Sequence, residues 1–75
     1  PPESVLLEAV VAEGSPLVGR TLAEARLPPG VLVLSLLREG TVVHPRGDTV
    51  VAAGDRLTVL AARGREAEVR RYLTG

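Results

Sequence analysis

The sequence predicts an α+β domain. It has a small, mainly antiparallel sheet of about four strands, a short helix after strand 1 and a C-terminal helix. Three observations predict it. Val- and Leu-rich runs of strand length recur along the chain, Gly and Pro clusters separate them, and helical spacing holds convincingly only over the last stretch. Strands joined by turns and then closed by a helix point to α+β rather than to alternating βα units.

The elements follow in order. Val5 to Ala12 is apolar apart from Glu8 and reads as a strand, which Glu13-Gly14-Ser15-Pro16 breaks. Thr21-Leu22-Ala23-Glu24 has capping-box spacing and predicts a short helix, with Leu22, Ala25 and Leu27 turned inward until Pro28-Pro29-Gly30 stops it. Val31 to Arg38 is the clearest strand, Glu39-Gly40 a tight turn, and Thr41 to His44 the returning hairpin partner. Pro45-Arg46-Gly47-Asp48 is a second turn, Thr49 to Ala52 a short strand, and Gly54-Asp55 turns the chain into Arg56 to Ala62. Gly64 to Leu73 then presents an apolar stripe of Ala67 or Val69 with Tyr72 and Leu73, and Glu66 and Arg70 stand four apart on the other side.

Composition narrows the function. Seventy-five residues make a single domain, 1–75, near the lower limit for independent folding without cross-links. With no cysteine there is no disulfide, thiolate metal site or thiol redox chemistry, and the single histidine leaves no metal ligand set. Nine arginines balance nine acids, so no net field draws the chain to nucleic acid, and one aromatic offers no stacking platform. The apolar run Val31 to Leu37 is far short of the roughly twenty residues of a membrane helix, so no direct membrane insertion is expected. The chain opens at Pro1 without methionine, which predicts a fragment of a larger protein. The absence of Lys, Ile, Asn, Gln, Met, Phe, Trp and Cys fits a GC-rich and heat-adapted source. No nucleophile and base fall in a catalytic pattern, no paired carboxylates share an apolar setting, and no phosphate-binding Gly loop is present, so catalysis is not expected.

The central strand carries the main physical clue. Strict alternation places Val31, Val33, Ser35 and Leu37 on one face and Leu32, Leu34, Leu36 and Arg38 on the other, and both faces are apolar. An antiparallel sheet in a lone small domain usually keeps one face polar. One helix and one helical turn cover one face and part of the other, so a second copy or a neighbouring domain packed on the remainder is expected, with self-association the favoured form. The other arrangement has the loops and the short helix covering both faces of a monomer.

Four stretches in order resemble the TrkA-C domain, also called the RCK C-terminal domain (regulator of potassium conductance). Ser15-Pro16-Leu17-Val18-Gly19-Arg20-Thr21-Leu22 is similar to its S-x-L-x-G-x-T-L segment. Leu37-Arg38-Glu39-Gly40 is similar to the R-x-G close of its central strand. Pro45 matches the proline after the next strand, and Val51 to Val59 is similar to L-x-x-G-D-x-L-x-V. The likeness covers about residues 5 to 73.

Gly19 and Gly54 suit sharp turns and Asp55 suits a turn that bonds nearby amides, so these motifs speak for the fold before any site. The resemblance implies a cytoplasmic regulatory, ligand-sensing and dimerising domain of a potassium or other ion transport system. Such a domain is joined to a membrane transporter or channel subunit at the inner face of the membrane and works as a homodimer. It further implies that the domain follows a nucleotide-binding domain or is fused to a membrane transporter.

Some members bind cyclic di-AMP at the dimer interface, through the end of the central strand and the following hairpin. On this chain those positions are Val33, Leu34, Arg38, His44 and Pro45, with Val31, Val33 and Leu37 at the dimer interface. A small anionic ligand of this kind would use the Arg38 guanidinium for stacking or phosphate and His44 as a hydrogen-bond partner. The plain readings stand beside these: Arg38 as a solvated strand-end residue, His44 as a surface group, and the domain as a structural dimerisation module without a ligand.

Overall fold

The computed structural model describes residues 3–75. Four strands, β1 (Ser4–Val10), β2 (Leu32–Arg38), β3 (Thr41–Val43) and β4 (Arg56–Ala62), form one antiparallel sheet in the order β1-β4-β2-β3, and α1 (Glu66–Thr74) closes the chain. The expected α+β architecture is therefore present, with β4 paired on both sides.

One face of the sheet is packed. Ala9 and Val11 from the β1 end, Leu36 from β2, and Leu57, Val59 and Ala61 from β4 meet Val69 and Leu73 of α1. Leu17 and Val51 fill the rest from the connections, and Leu22, Ala25 and Leu27 lie against the margin. The helix thus buries an i, i+4 pair, as its amphipathic spacing requires. Its last carbonyls are met by the β1–β2 connection, with Ser15 Oγ donating to Tyr72 O at 3.0 Å and Ala12 N–H to Leu73 O at 3.2 Å.

The β2–β3 hairpin uses a two-residue loop in which both Glu39 (φ 50°) and Gly40 (φ 79°) lie in the left-handed region. That is the backbone of a type I′ turn, whose twist matches the flanking strands. Glycine adopts it freely, whereas glutamate carries a Cβ that opposes it.

Three sequence expectations need correction. The helix after strand 1 is a single turn. Its capping box does form, with Thr21 N–H donating to Glu24 Oε1 at 3.1 Å and Glu24 N–H to Thr21 Oγ1 at 3.2 Å. Leu22 N–H and Ala23 N–H then donate to Thr49 O and Gly47 O, and the chain reaches Pro28 before a second turn can close. The strand expected at Thr49 to Ala52 is reduced to one bridge, Thr21 with Val50.

The third correction concerns the faces of β2. A β-bulge between Val33 and Ser35 inserts Leu34 as an extra residue. Alternation therefore changes phase, and Leu36 joins Val31 and Val33 on the packed face instead of Leu32 and Leu34.

Candidate functional site

The second face of the sheet carries no covering element among the described residues. Leu6 is 62% exposed, Leu32 58% and Val42 60%, and Leu34 is also exposed. The register sets Leu6 beside Leu60 and Leu60 beside Leu32 at one end of this face and Leu37 beside Val42 at the other, with Glu8, Thr58, Ser35 and Arg56 between them. Glu8 and Arg56 pair at 3.2 Å toward one end of it.

At the turn end of β2 the sheet opens into a cleft of about 430 Å³ lined by Arg38, Glu39, Ala52, Ala53, Gly54 and Asp55. Its frame follows from the register. Leu37 lies opposite Arg56, so one step further along each strand Arg38 meets Asp55. Arg38 Nε donates to Asp55 Oδ1 at 2.8 Å and Nη2 to Oδ2 at 2.7 Å, the bidentate geometry of a guanidinium on a carboxylate. Nη2 also reaches Val50 O at 2.9 Å, and Asp55 Oδ2 accepts Ala52 N–H at 2.8 Å.

Asp55 itself is 1% exposed, while its partner remains partly open to water. The Arg38 guanidinium and the Ala52 amide hold the Asp55 carboxyl below the usual carboxylate range, against the opposing effect of burial. Asp55 in turn raises the Arg38 pKa. The pair therefore stays charged at neutral pH and ties the end of β2 to the turn before β4. Gly54 completes that turn at φ 91°, donating to Val11 O while Val11 N–H donates to Asp55 O.

The structure divides the predicted ligand residues. Arg38 lines the cleft, but Val33, Leu34, His44 and Pro45 do not. The register that sets Leu36 against Val43 places His44 alongside Ser35 and next to the Leu34 bulge, at the opposite end of the hairpin from Arg38. His44 is exposed and Pro45 half-buried. Of the predicted interface residues, Leu37 lies on the open face, whereas Val31 and Val33 pack against the core. Asp55 as the partner of Arg38 was missed, because the two are cross-strand neighbours only once β4 is known to sit beside β2. No cluster of His, Cys, Asp or Glu that could hold a metal ion occurs among the described residues.

The fold and its open sheet define a small α+β domain whose layers are covered on one side only. Residues 6–74 match the TrkA-C domain, and the chain belongs to that family. It is 41% identical over 56 residues to the Trk system potassium uptake protein TrkA homolog of Archaeoglobus fulgidus, covering 75% of this chain and 13% of that protein. It is 45% identical over 56 residues to the Trk system potassium uptake protein TrkA of Azorhizobium caulinodans, covering 75% and 12% respectively. The chain thus spans about an eighth of the length of these curated relatives. The RCK_C domain dimer of S. agalactiae BusR in complex with c-di-AMP shares the fold, with a TM-score of 0.77 at 21% identity over 91% of this chain and 93% of that one. Among the described residues no helix is long and apolar enough to cross a membrane.

Proposed function

We propose that the chain is a cytoplasmic regulatory and dimerisation domain of a potassium or other cation transport system, whose paired form takes a small anionic ligand such as cyclic di-AMP. The single observation that carries the reading is the open apolar face made by Leu6, Leu32, Leu34, Leu37, Leu60 and Val42. At roughly 25 cal/mol per Å² of apolar surface, leaving such a face in water is costly, and a second copy covers it with matching side chains. Family membership and the names of the relatives supply the transport context, and the BusR domain supplies the precedent for a dimer with a cyclic dinucleotide.

The pairing residues in this reading are Leu32, Leu34 and Leu37, because Val31 and Val33 are engaged in the core. Val33, Leu34, His44 and Pro45 are the residues that a ligand bridging two copies would meet in this reading. Arg38 contributes its remaining nitrogen, Nη1, since Nε and Nη2 are taken by Asp55 and Val50. That occupancy is also what favours a ligand-free structural dimer as the second reading.

Sedimentation at high micromolar concentration tests the pairing: a dimer is expected, and Leu32→Glu converts it to monomer. A monomeric parent chain sinks the proposal. Calorimetric titration with cyclic di-AMP separates the two readings, with His44→Ala and Leu34→Ala expected to weaken binding. Arg38→Ala is a poor probe, because it strands the buried Asp55 carboxylate and unsettles the fold. A stable dimer that takes up no cyclic di-AMP leaves the structural reading in place and removes the ligand.

A further inference from the structure

A second cleft, of about 190 Å³, shares no residue with the one at Arg38 and is lined by Pro16, Arg20, Arg26 and Tyr72. Three of these residues come from the connection between β1 and β2, and Tyr72 from the end of α1. The two parts are fastened together. Ser15 Oγ donates to Tyr72 O and accepts from Leu17 N–H at 3.2 Å, while Arg20 N–H donates to Leu17 O and Arg20 O accepts from Val51 N–H. The walls are therefore preformed by backbone bonds.

No acid lines this cleft, and Glu24 acts on Arg20 only through space, without an ion pair. Five of the other seven arginines find partners: Arg38 has Asp55, Arg46 has Asp48, Arg56 has Glu8, Arg65 has Glu68, and Arg70 donates to the Glu8 carbonyl; Arg63 and Arg71 have none among the described residues but line neither cleft. Among the described residues, Arg20 and Arg26 make no ion pair and no side-chain hydrogen bond, and no acid lines their cleft. Glu24, which lies between them in sequence, is turned back onto Thr21. In a chain of zero formal net charge, two arginines line one concavity together with its only aromatic residue. Like charges held together in this way repel, and an anion placed between them reverses the sign of the interaction.

The lining defines the anion. Guanidinium groups chelate phosphate oxygens in their own plane, and the Tyr72 ring with Pro16 offers a flat apolar wall. The volume is below the roughly 300 Å³ of sites for drug-sized ligands and matches a phosphoryl group with one small ring. We infer that Arg20, Arg26 and Tyr72 form a binding site for a small phosphomonoester carrying a planar ring. The site is separate from the pairing face and does not depend on dimerisation. The competing explanation is that the arginines only complement the carbonyl end of α1.

Nuclear magnetic resonance titration of the isotope-labelled chain decides between them, with inorganic phosphate and phenyl phosphate as probes at constant ionic strength. Saturable shifts are expected at the Arg20 and Arg26 side chains and the Tyr72 ring, with phenyl phosphate bound about five-fold more tightly than inorganic phosphate. The double variant Arg20→Gln with Arg26→Gln loses both responses. Arg63→Gln with Arg71→Gln, which changes two other arginines outside the cleft, keeps them. Tyr72→Leu retains phosphate binding and loses the preference for the ring. Shifts that never saturate, or that spread equally to Arg63 and Arg71, overturn the site. So does a double glutamine variant that alters only the melting temperature.

Discussion

Leu36 and Leu32 lie on the same strand four residues apart, yet one is fully shielded from water and the other keeps 58% of its surface. The difference belongs to the two sides of the sheet. On the packed side, α1 and the two long connections supply buried partners from every part of the chain. On the open side the strands supply partners only to one another. Both sides carry large apolar residues, and what separates those residues is whether the chain has an element left to cover them. Stability of the fold resides on the first side, and the proposed association on the second.

The largest test of that contrast is a pair of truncations. Leu36→Ala is expected to cost about 3 kcal/mol, since it opens a cavity in a site already closed on all sides. Leu32→Ala in dilute, monomeric conditions should cost less than about 0.5 kcal/mol, as for other substitutions away from the core. Urea denaturation of both variants measures it, and equal losses would mean that the open face is sealed after all.

Asp55→Asn comes next, at about 2 kcal/mol, because a buried carboxylate loses charge-assisted bonds. Water reaches the Arg38 side, which screens the pair and keeps the figure below that of a fully buried bridge. The pH dependence has a definite sign. Asp55 has a lowered folded pKa, so the unfolded chain takes up its proton first as pH falls. Its contribution is complete above the ordinary carboxylate value of about 3.9 and fades as pH drops through the lower folded value. The parent should therefore lose stability below about pH 4 more steeply than Asp55→Asn. Parallel acid titrations, followed by circular dichroism, would contradict the assignment.

The smallest effect is a gain. Glu39 is the only non-glycine residue with positive φ among those described. Asn at that position adopts the left-handed region more readily, so Glu39→Asn should stabilise the hairpin by under about 1 kcal/mol. A loss measured by thermal unfolding would show that the Glu39 side chain contributes to the wall of the neighbouring cleft more than its backbone conformation costs.

The sequence made β1, β2, β3, β4 and α1 legible to within two residues, because alternating apolar runs and Gly turns are local signals. It overstated the helix at Thr21 for a related reason. Capping-box residues announce a helix start, and the box does form, but Thr49 and Gly47 capture the next amides. The bulge at Leu34 left no mark in a run whose one polar residue is Ser35, so the assignment of faces failed beyond it.

The site was less legible than the fold. Arg38 and Asp55 each stood out in the sequence, yet their union depends on β4 slotting beside β2, a pairing that crosses over β3. The same holds for Arg20, Arg26 and Tyr72, which only the docking of α1 on the first connection brings together.

The position of β4 has a consequence for how the molecule comes into being. It is the last strand in the chain and the only one that touches both β1 and β2. A nascent polypeptide that has emerged only as far as residue 55 holds one hairpin and a solitary strand with nothing to join them. Such a chain cannot acquire its architecture progressively, and commitment comes late and all at once, when β4 threads between edges that have waited for it.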